Sequence, residues 1–195
     1  DSLIDTYFCT SSFLSSGDQS TGTHVPLSSS SFLDISSYIR IKCNGSFKIK
    51  ILSSDLINQE LERADSGLRS FVSVQTSLVM YPILQWGSAE QQERWIPDLA
   101  AGTAIGCFGL TEPDFGSNPG GMRTRAVRDG DSWVLNGEKA WITNGGIADV
   151  HVVVGVVAPE LKTKGHASFI VPPGTPGLSM GQKYKKHGIR ASHTA

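Results

Sequence analysis

No apolar stretch of this chain approaches the roughly 18 residues that a helical membrane span demands, so no span is expected. Charge imbalance is equally scarce. Seventeen Lys and Arg stand against 18 Asp and Glu, leaving a formal charge of -1. A nucleic-acid binder would carry a basic excess or stripe, so that class is set aside. The short basic cluster Lys183 to His187 is expected to be a solvated face. Cysteine is limited to Cys9, Cys43 and Cys107, far apart and without CxxC or Cys/His spacing. That argues against a zinc site and a disulfide framework and favours a reducing compartment. His151, His166, His187 and His193 lack partner spacing for metal or triad work and are expected to be structural or exposed. No n-region, h-region or cleavage site is visible at the start, and Asp1 in place of Met predicts a processed or truncated beginning.

What is present fits one domain or a little more: 195 residues, 39% hydrophobic and 18% charged, enough for a packed core. The first fifty-odd residues are serine-rich, including Ser28 to Ser31, and are expected to be poorly ordered apart from one strand, Phe47 to Leu52. The alternative is a segment foreign to the domain that follows. Order is expected from Leu56. Leu68, Phe71, Val72, Gln75, Leu78 and Val79 recur at three- and four-residue steps, the period of a helix with one buried stripe. Pro82 should kink or stop that helix. Ser88 and Gln91 read as a capping box opening a second helix that Gly102 ends. From Thr103 the period becomes that of strands. Asp129-Gly130 and Asn136-Gly137 read as hairpin turns within a meander from about Thr124 to Ile142. Val150 to Val157 suits a strand buried on both faces, Ala167 to Val171 another. The division expected is 1–55 atypical, 56–102 helical and 103–195 β.

Two segments carry chemistry. Residues 107–118 read Cys-Phe-Gly-Leu-Thr-Glu-Pro-Asp-Phe-Gly-Ser-Asn, and Trp141-Ile142-Thr143-Asn144 follows. Backbone N–H groups and a hydroxyl at a strand end suit the acceptor-rich edge of a flat, electron-poor ring. An indole can shield such a ring from water. A Gly-Ser turn lets a ligand approach the backbone.

These residues, with the helix from Gly67 and the run Glu138 to Asn144, resemble the acyl-CoA dehydrogenase family. The likeness covers about residues 57 to 195 and is strongest to the glutaryl-CoA dehydrogenase branch. It implies an α+β fold: partial amino-terminal helices, then an antiparallel β-barrel-like middle domain, with the carboxy-terminal helical domain absent. It implies FAD, held by Phe108, Leu110 and Thr111 at the pyrimidine edge and by Trp141, Ile142 and Thr143 near N5. It places an acyl-CoA against Gly116 and Ser117, although Asn118 stands where family members commonly have Asp. Arg69, with Ser70 and Ser73, would receive a distal carboxylate; a plain pairing of Arg69 with Asp65 is the alternative. Glu112, Asp114 and Glu138 are not expected to be the catalytic base. The family's catalytic glutamate is expected beyond residue 195, leaving this piece alone inactive. An electron-transferring flavoprotein and a homo-oligomer complete the implied partners, in the cytoplasm of a bacterium or the mitochondrial matrix of a eukaryote. An acyl-CoA oxidase and a non-catalytic β domain stay open beside this reading.

Overall fold

The computed structural model describes residues 47–195 and the backbone strand Tyr7–Cys9, with side chains from Asp55 onward. The expected poor order of residues 1–55 therefore lies largely outside the described residues. Within them, the strand expected at Phe47 to Leu52 is instead the start of a helix, α1, Phe47–Ala64. Two β-branched isoleucines favour a strand only locally. The run continues into Leu, Gln, Glu and Arg, all good helix formers, and helix propagation across 18 residues overrides them.

Helix α2, Ser66–Ser73, opens on Asp65, whose carboxylate accepts from the N–H groups of Gly67 and Leu68. It does not stop at Pro82. Between α2 and α3, Tyr81–Trp86, the chain widens into a π-helical turn, Val74–Met80, in which the Tyr81 N–H reaches the Thr76 carbonyl. The i to i−5 register precedes the position where proline would break an ordinary ladder, and Pro82 then sits in the first turn of α3, where its missing N–H costs little. Helix α4, Ala89–Ala101, begins with the Ser88/Gln91 capping box and ends at Gly102 with φ 74°, as the sequence predicts.

The strands are β1, Tyr7–Cys9; β2, Gly106–Gly109; β3, Arg125–Asp129; β4, Ser132–Asn136; β5, Val150–Val156; and β6, His166–Val171. They form one sheet ordered β1-β6-β5-β3-β4, with β2 also on β5. The pairs β1/β6, β5/β6 and β3/β4 are antiparallel, as expected, whereas β2 and β3 both run parallel to β5 and make the sheet mixed.

Topology then decides where the two motifs lie. Strand β6 lines β5 from His151↔Val171 to Val156↔His166. Strand β2 pairs with 150–153 and β3 with Val156, so both must share the other edge of β5, one after the other. The chain from 110 to 124 has to leave the sheet and return. That excursion carries the Leu-Thr-Glu-Pro and Gly-Ser segments.

Core packing holds the edge in place. Val150, Val152 and Ile170 face the helices through Val79, Met80, Ile83 and Leu99. On the opposite face Phe169, Ala167 and Val171 pack with Ala126. Beyond the helices, Met122 of the excursion covers Val154 and Val156, with Phe108 and Leu110 against them. Each fully buried side chain of this size contributes about 2 kcal/mol. Gln75 is the polar exception. Its amide donates to the Leu99 and Ala104 carbonyls at 2.9 and 2.8 Å and accepts from the Gly106 N–H at 2.8 Å, fixing where β2 begins.

Only one of the two expected hairpins forms. Gly130, at φ 60°, turns β3 into β4. After Asn136-Gly137 the chain does not pair back onto β4. Gly137 serves a close approach instead, since a Cβ there would lie 2.4 Å from Thr124 Oγ1.

Candidate functional site

Residues 139–144 run back alongside 106–111. Lys139 Nζ donates to the Leu110 carbonyl at 3.0 Å, the Ala140 N–H to the Thr111 carbonyl at 2.9 Å, and Asn144 Nδ2 to the Gly106 carbonyl at 3.1 Å. One backbone bond and two side-chain bonds thus hold the two motifs side by side. Phe108, Leu110 and Thr111 are thereby brought beside Trp141, Ile142 and Thr143. The side chains of Phe108 and Leu110 belong to the core, and Ile142 is buried, so these three offer backbone to a ligand. Thr111 and Thr143 are half-buried.

The far side of 142–144 is closed by the end of the chain. Ile142 and Ala195 exchange backbone hydrogen bonds of 2.7 and 3.0 Å, and the Asn144 N–H donates to the His193 carbonyl at 2.7 Å. Thr143 lies opposite Thr194 between these bonds. In such an antiparallel pair the central N–H groups point away from the partner strand. Among the described residues, the N–H groups of Leu110, Thr111, Trp141 and Thr143 find no acceptor. Donors left open on a half-buried wall are free to meet water or an acceptor from outside the chain.

Trp141 is 59% exposed, adopts φ 63°, and stacks on Tyr184 with ring centroids 4.3 Å apart. A left-handed conformation in a bulky residue costs on the order of 1–2 kcal/mol and persists only where neighbours impose it. Asn144, the other end of the turn, has φ 65° and is buried, a conformation that asparagine tolerates better.

The excursion turns sharply at Glu112–Phe115, where the two residues exchange backbone hydrogen bonds. Gly116 and Ser117 sit exposed beyond it, with nothing within 4 Å of a Cβ built on Gly116. Asn118 leads into a short 3-10 turn, Pro119–Gly121, and makes no side-chain cap there. Glu112 is buried under this loop. Burial opposes its charge, but the Arg123 N–H, the Thr124 hydroxyl, Lys139 and the Thr124 N–H outweigh that and bring the carboxyl down to about 2. Burial lowers the Lys139 ammonium, and Glu112 counters it. So Glu112 is an anchored anion, with three donors on Oε1 and one on Oε2.

Arg69 stands elsewhere. Its Nε donates to Glu62 Oε2 at 2.6 Å, not to Asp65, which is occupied as the α2 cap. Ser70 and Ser73 are half-buried on the same helix. Among the described residues no hydrogen bond or ion pair joins these three to the wall. The same helix approaches the carboxy-terminal residues at Gly67, where a Cβ would lie 2.8 Å from Ala191 Cβ and the Ser192 nitrogen. His151, expected to be structural or exposed, is 4% exposed within β5, and burial pushes its imidazole down. Among the described residues there is no cluster of potential metal ligands and no helix long and apolar enough to cross a membrane.

Sequence reading missed Gln75, Lys139 and Asn144 as organisers of this site. Gln75 was legible only as a polar residue inside an otherwise apolar helical stripe. Asn144-Gly145 carried a positive-φ signal, while Lys139 carried none.

This arrangement matches known proteins over most of its length. Two models of one family fit the chain, the acyl-CoA dehydrogenase N-terminal domain over residues 40–103 and the acyl-CoA dehydrogenase middle domain over 107–195. The chain belongs to the acyl-CoA dehydrogenase family. A glutaryl-CoA dehydrogenase from Mycobacterium smegmatis, solved in complex with FADH2, is 57% identical with a TM-score of 0.67, covering 71% of this chain and 35% of that one. Butyryl-CoA dehydrogenase from Megasphaera elsdenii is 37% identical with a TM-score of 0.67, covering 74% and 37%. The mouse mitochondrial short-chain specific acyl-CoA dehydrogenase is 46% identical over 144 residues, 74% of this chain. The chain spans about 35% of that relative's length.

Proposed function

We propose that this chain is the amino-terminal and middle portion of an FAD-dependent acyl-CoA dehydrogenase that desaturates a short dicarboxylic thioester, glutaryl-CoA, with loss of its distal carboxylate. The observation that carries the reading is the single wall of unpaired backbone donors at Leu110, Thr111, Trp141 and Thr143. Donors fixed before the ligand arrives stabilise negative charge without reorganising, which is what a reducible ring's acceptor edge requires. The residues therefore fit the group. FAD bound there would supply the two-electron acceptor for hydride leaving the acyl β-carbon.

Each residue has a separate task in this reading. Leu110 and Thr111 hold the ring's oxygen-bearing edge, and Thr143 donates near N5. The exposed indole of Trp141 keeps water from the ring face. Ser117, on its open turn, bonds a polar group of the coenzyme A arm, and Gly116 leaves room for it. Arg69, exchanging Glu62 for a substrate carboxylate with Ser70 and Ser73 alongside, selects the dicarboxylic chain. The 57% identity to a glutaryl-CoA dehydrogenase favours this choice over a monocarboxylic substrate. The α-proton is taken by a glutamate outside residues 1–195, in an assembly of several subunits that passes electrons to an electron-transferring flavoprotein. The division expected at 56 falls inside α1, Phe47–Ala64, so in this reading the helical unit includes all of that helix and the β unit is 103–195.

The test is turnover of the full-length protein on glutaryl-CoA and butyryl-CoA, with an electron-transferring flavoprotein or dioxygen as acceptor. Preference for glutaryl-CoA with carbon dioxide release supports the reading. Preference for butyryl-CoA retires the dicarboxylic assignment, and reoxidation by dioxygen at the turnover rate marks an oxidase.

A further inference from the structure

The excursion 110–124 has to be closed where it leaves the sheet, and one carboxylate does this. Glu112 Oε2 accepts from the Arg123 N–H at 2.6 Å, and Oε1 from the Thr124 N–H at 2.9 Å and the Thr124 hydroxyl at 2.5 Å. Residue 112 is thereby tied to residues 123 and 124, the two ends of a compact loop. The fourth donor comes from the other motif. Lys139 Nζ reaches Glu112 Oε1 at 2.9 Å and the Leu110 carbonyl at 3.0 Å, with its side chain 12% and that of Glu112 6% exposed.

We propose that Glu112 and Lys139 are positioning residues: a buried clasp that closes the loop bearing Ser117 and fixes Leu110 against the Trp141 to Thr143 strand, so that the donors of both motifs face one ligand. This deepens the flavin reading and rests on it. Lys139 is placed to act because its stem lies over Gly109, where a Cβ would meet Lys139 Cγ at 3.3 Å, and its ammonium spans the gap between the motifs. A half-broken clasp leaves a buried charge without its partner, so the two residues act as a unit.

The experiment compares Glu112→Gln, Lys139→Met and the double variant in the full-length protein, well below each unfolding midpoint. Two quantities are read: FAD affinity by titration with its visible spectrum, and amide exchange of Arg123 and Thr124 without FAD. The result expected is at least tenfold weaker FAD binding in each single variant, a double variant no weaker than the weaker single, and faster exchange in Glu112→Gln. Should one variant fail to fold, Thr124→Val removes a single clasp bond and is expected to weaken FAD about threefold. Wild type that binds FAD while folded variants bind it within twofold overturns the clasp alone. Unchanged exchange in Glu112→Gln also overturns it. Wild type that takes up no FAD overturns the flavoprotein reading itself.

Discussion

Thr143 owes its importance to a pairing pattern. Because its neighbours Ile142 and Asn144 make the hydrogen bonds to residues 193–195, its own N–H is directed away from them. A hydroxyl on the same residue adds a second donor. Thr143→Ala removes one hydrogen bond worth about 1 kcal/mol and should weaken FAD retention about fivefold. If Trp141 covers the ring as proposed, Trp141→Ala should weaken it further, while exposed Ser179→Ala should leave it unchanged. Gel filtration followed by flavin absorbance reads all three. Glu112 sets a different expectation. Its folded carboxyl is depressed to about 2, so the stability it contributes is complete above the ordinary carboxylate value of 4.5 and is lost as pH falls from there toward 2. Between those limits wild type should lose its advantage over Glu112→Gln, as measured by unfolding midpoints across that range. A constant gap between the two proteins would show that the carboxylate does not carry this linkage.

The elements differ in how much of them the sequence displays. The start and stop of α4 could be read from Ser88, Gln91 and Gly102 because capping is local chemistry, complete within four residues. Asp129-Gly130 was legible for the same reason. Asn136-Gly137 carries an equal turn signal yet makes no hairpin, because its glycine is needed for an approach to Thr124, a partner 13 positions back in the chain. Phe47 to Leu52 looked like a strand because β-branched residues were weighed without the helix formers that follow. The motifs of the wall were visible as types of residue, but the bonds that align them were not. Gln75 meets partners 24, 29 and 31 residues away, and Lys139 meets Glu112 at a separation of 27. Such pairs leave no local trace. Gln75→Leu keeps the volume and strands the Gly106 N–H and two carbonyls, so it should cost about 2–4 kcal/mol. Ser88→Ala should cost about 1 kcal/mol. Denaturant unfolding of both variants checks the order, and an equal or reversed ranking would mean that the start of β2 is fixed by something other than Gln75.

Across the whole molecule, the helices hold one face of the sheet and the site lies where two strands share an edge of β5. In the proposed reading selectivity belongs to a separate place, the face of α2 that carries Arg69. Arg69→Ala should therefore raise KM for glutaryl-CoA at least about tenfold and leave butyryl-CoA within about twofold, a change in discrimination of about fivefold or more, about 1 kcal/mol. Equal losses on both substrates would remove the arginine from recognition. The central claim is that two motifs some 30 residues apart form one wall for one ring. Hydrogen exchange of the full-length protein with and without FAD tests it most directly. The account predicts that amides in 108–111 and in 141–143 slow together when FAD is added. Protection confined to one of these segments, or found only elsewhere, would contradict it.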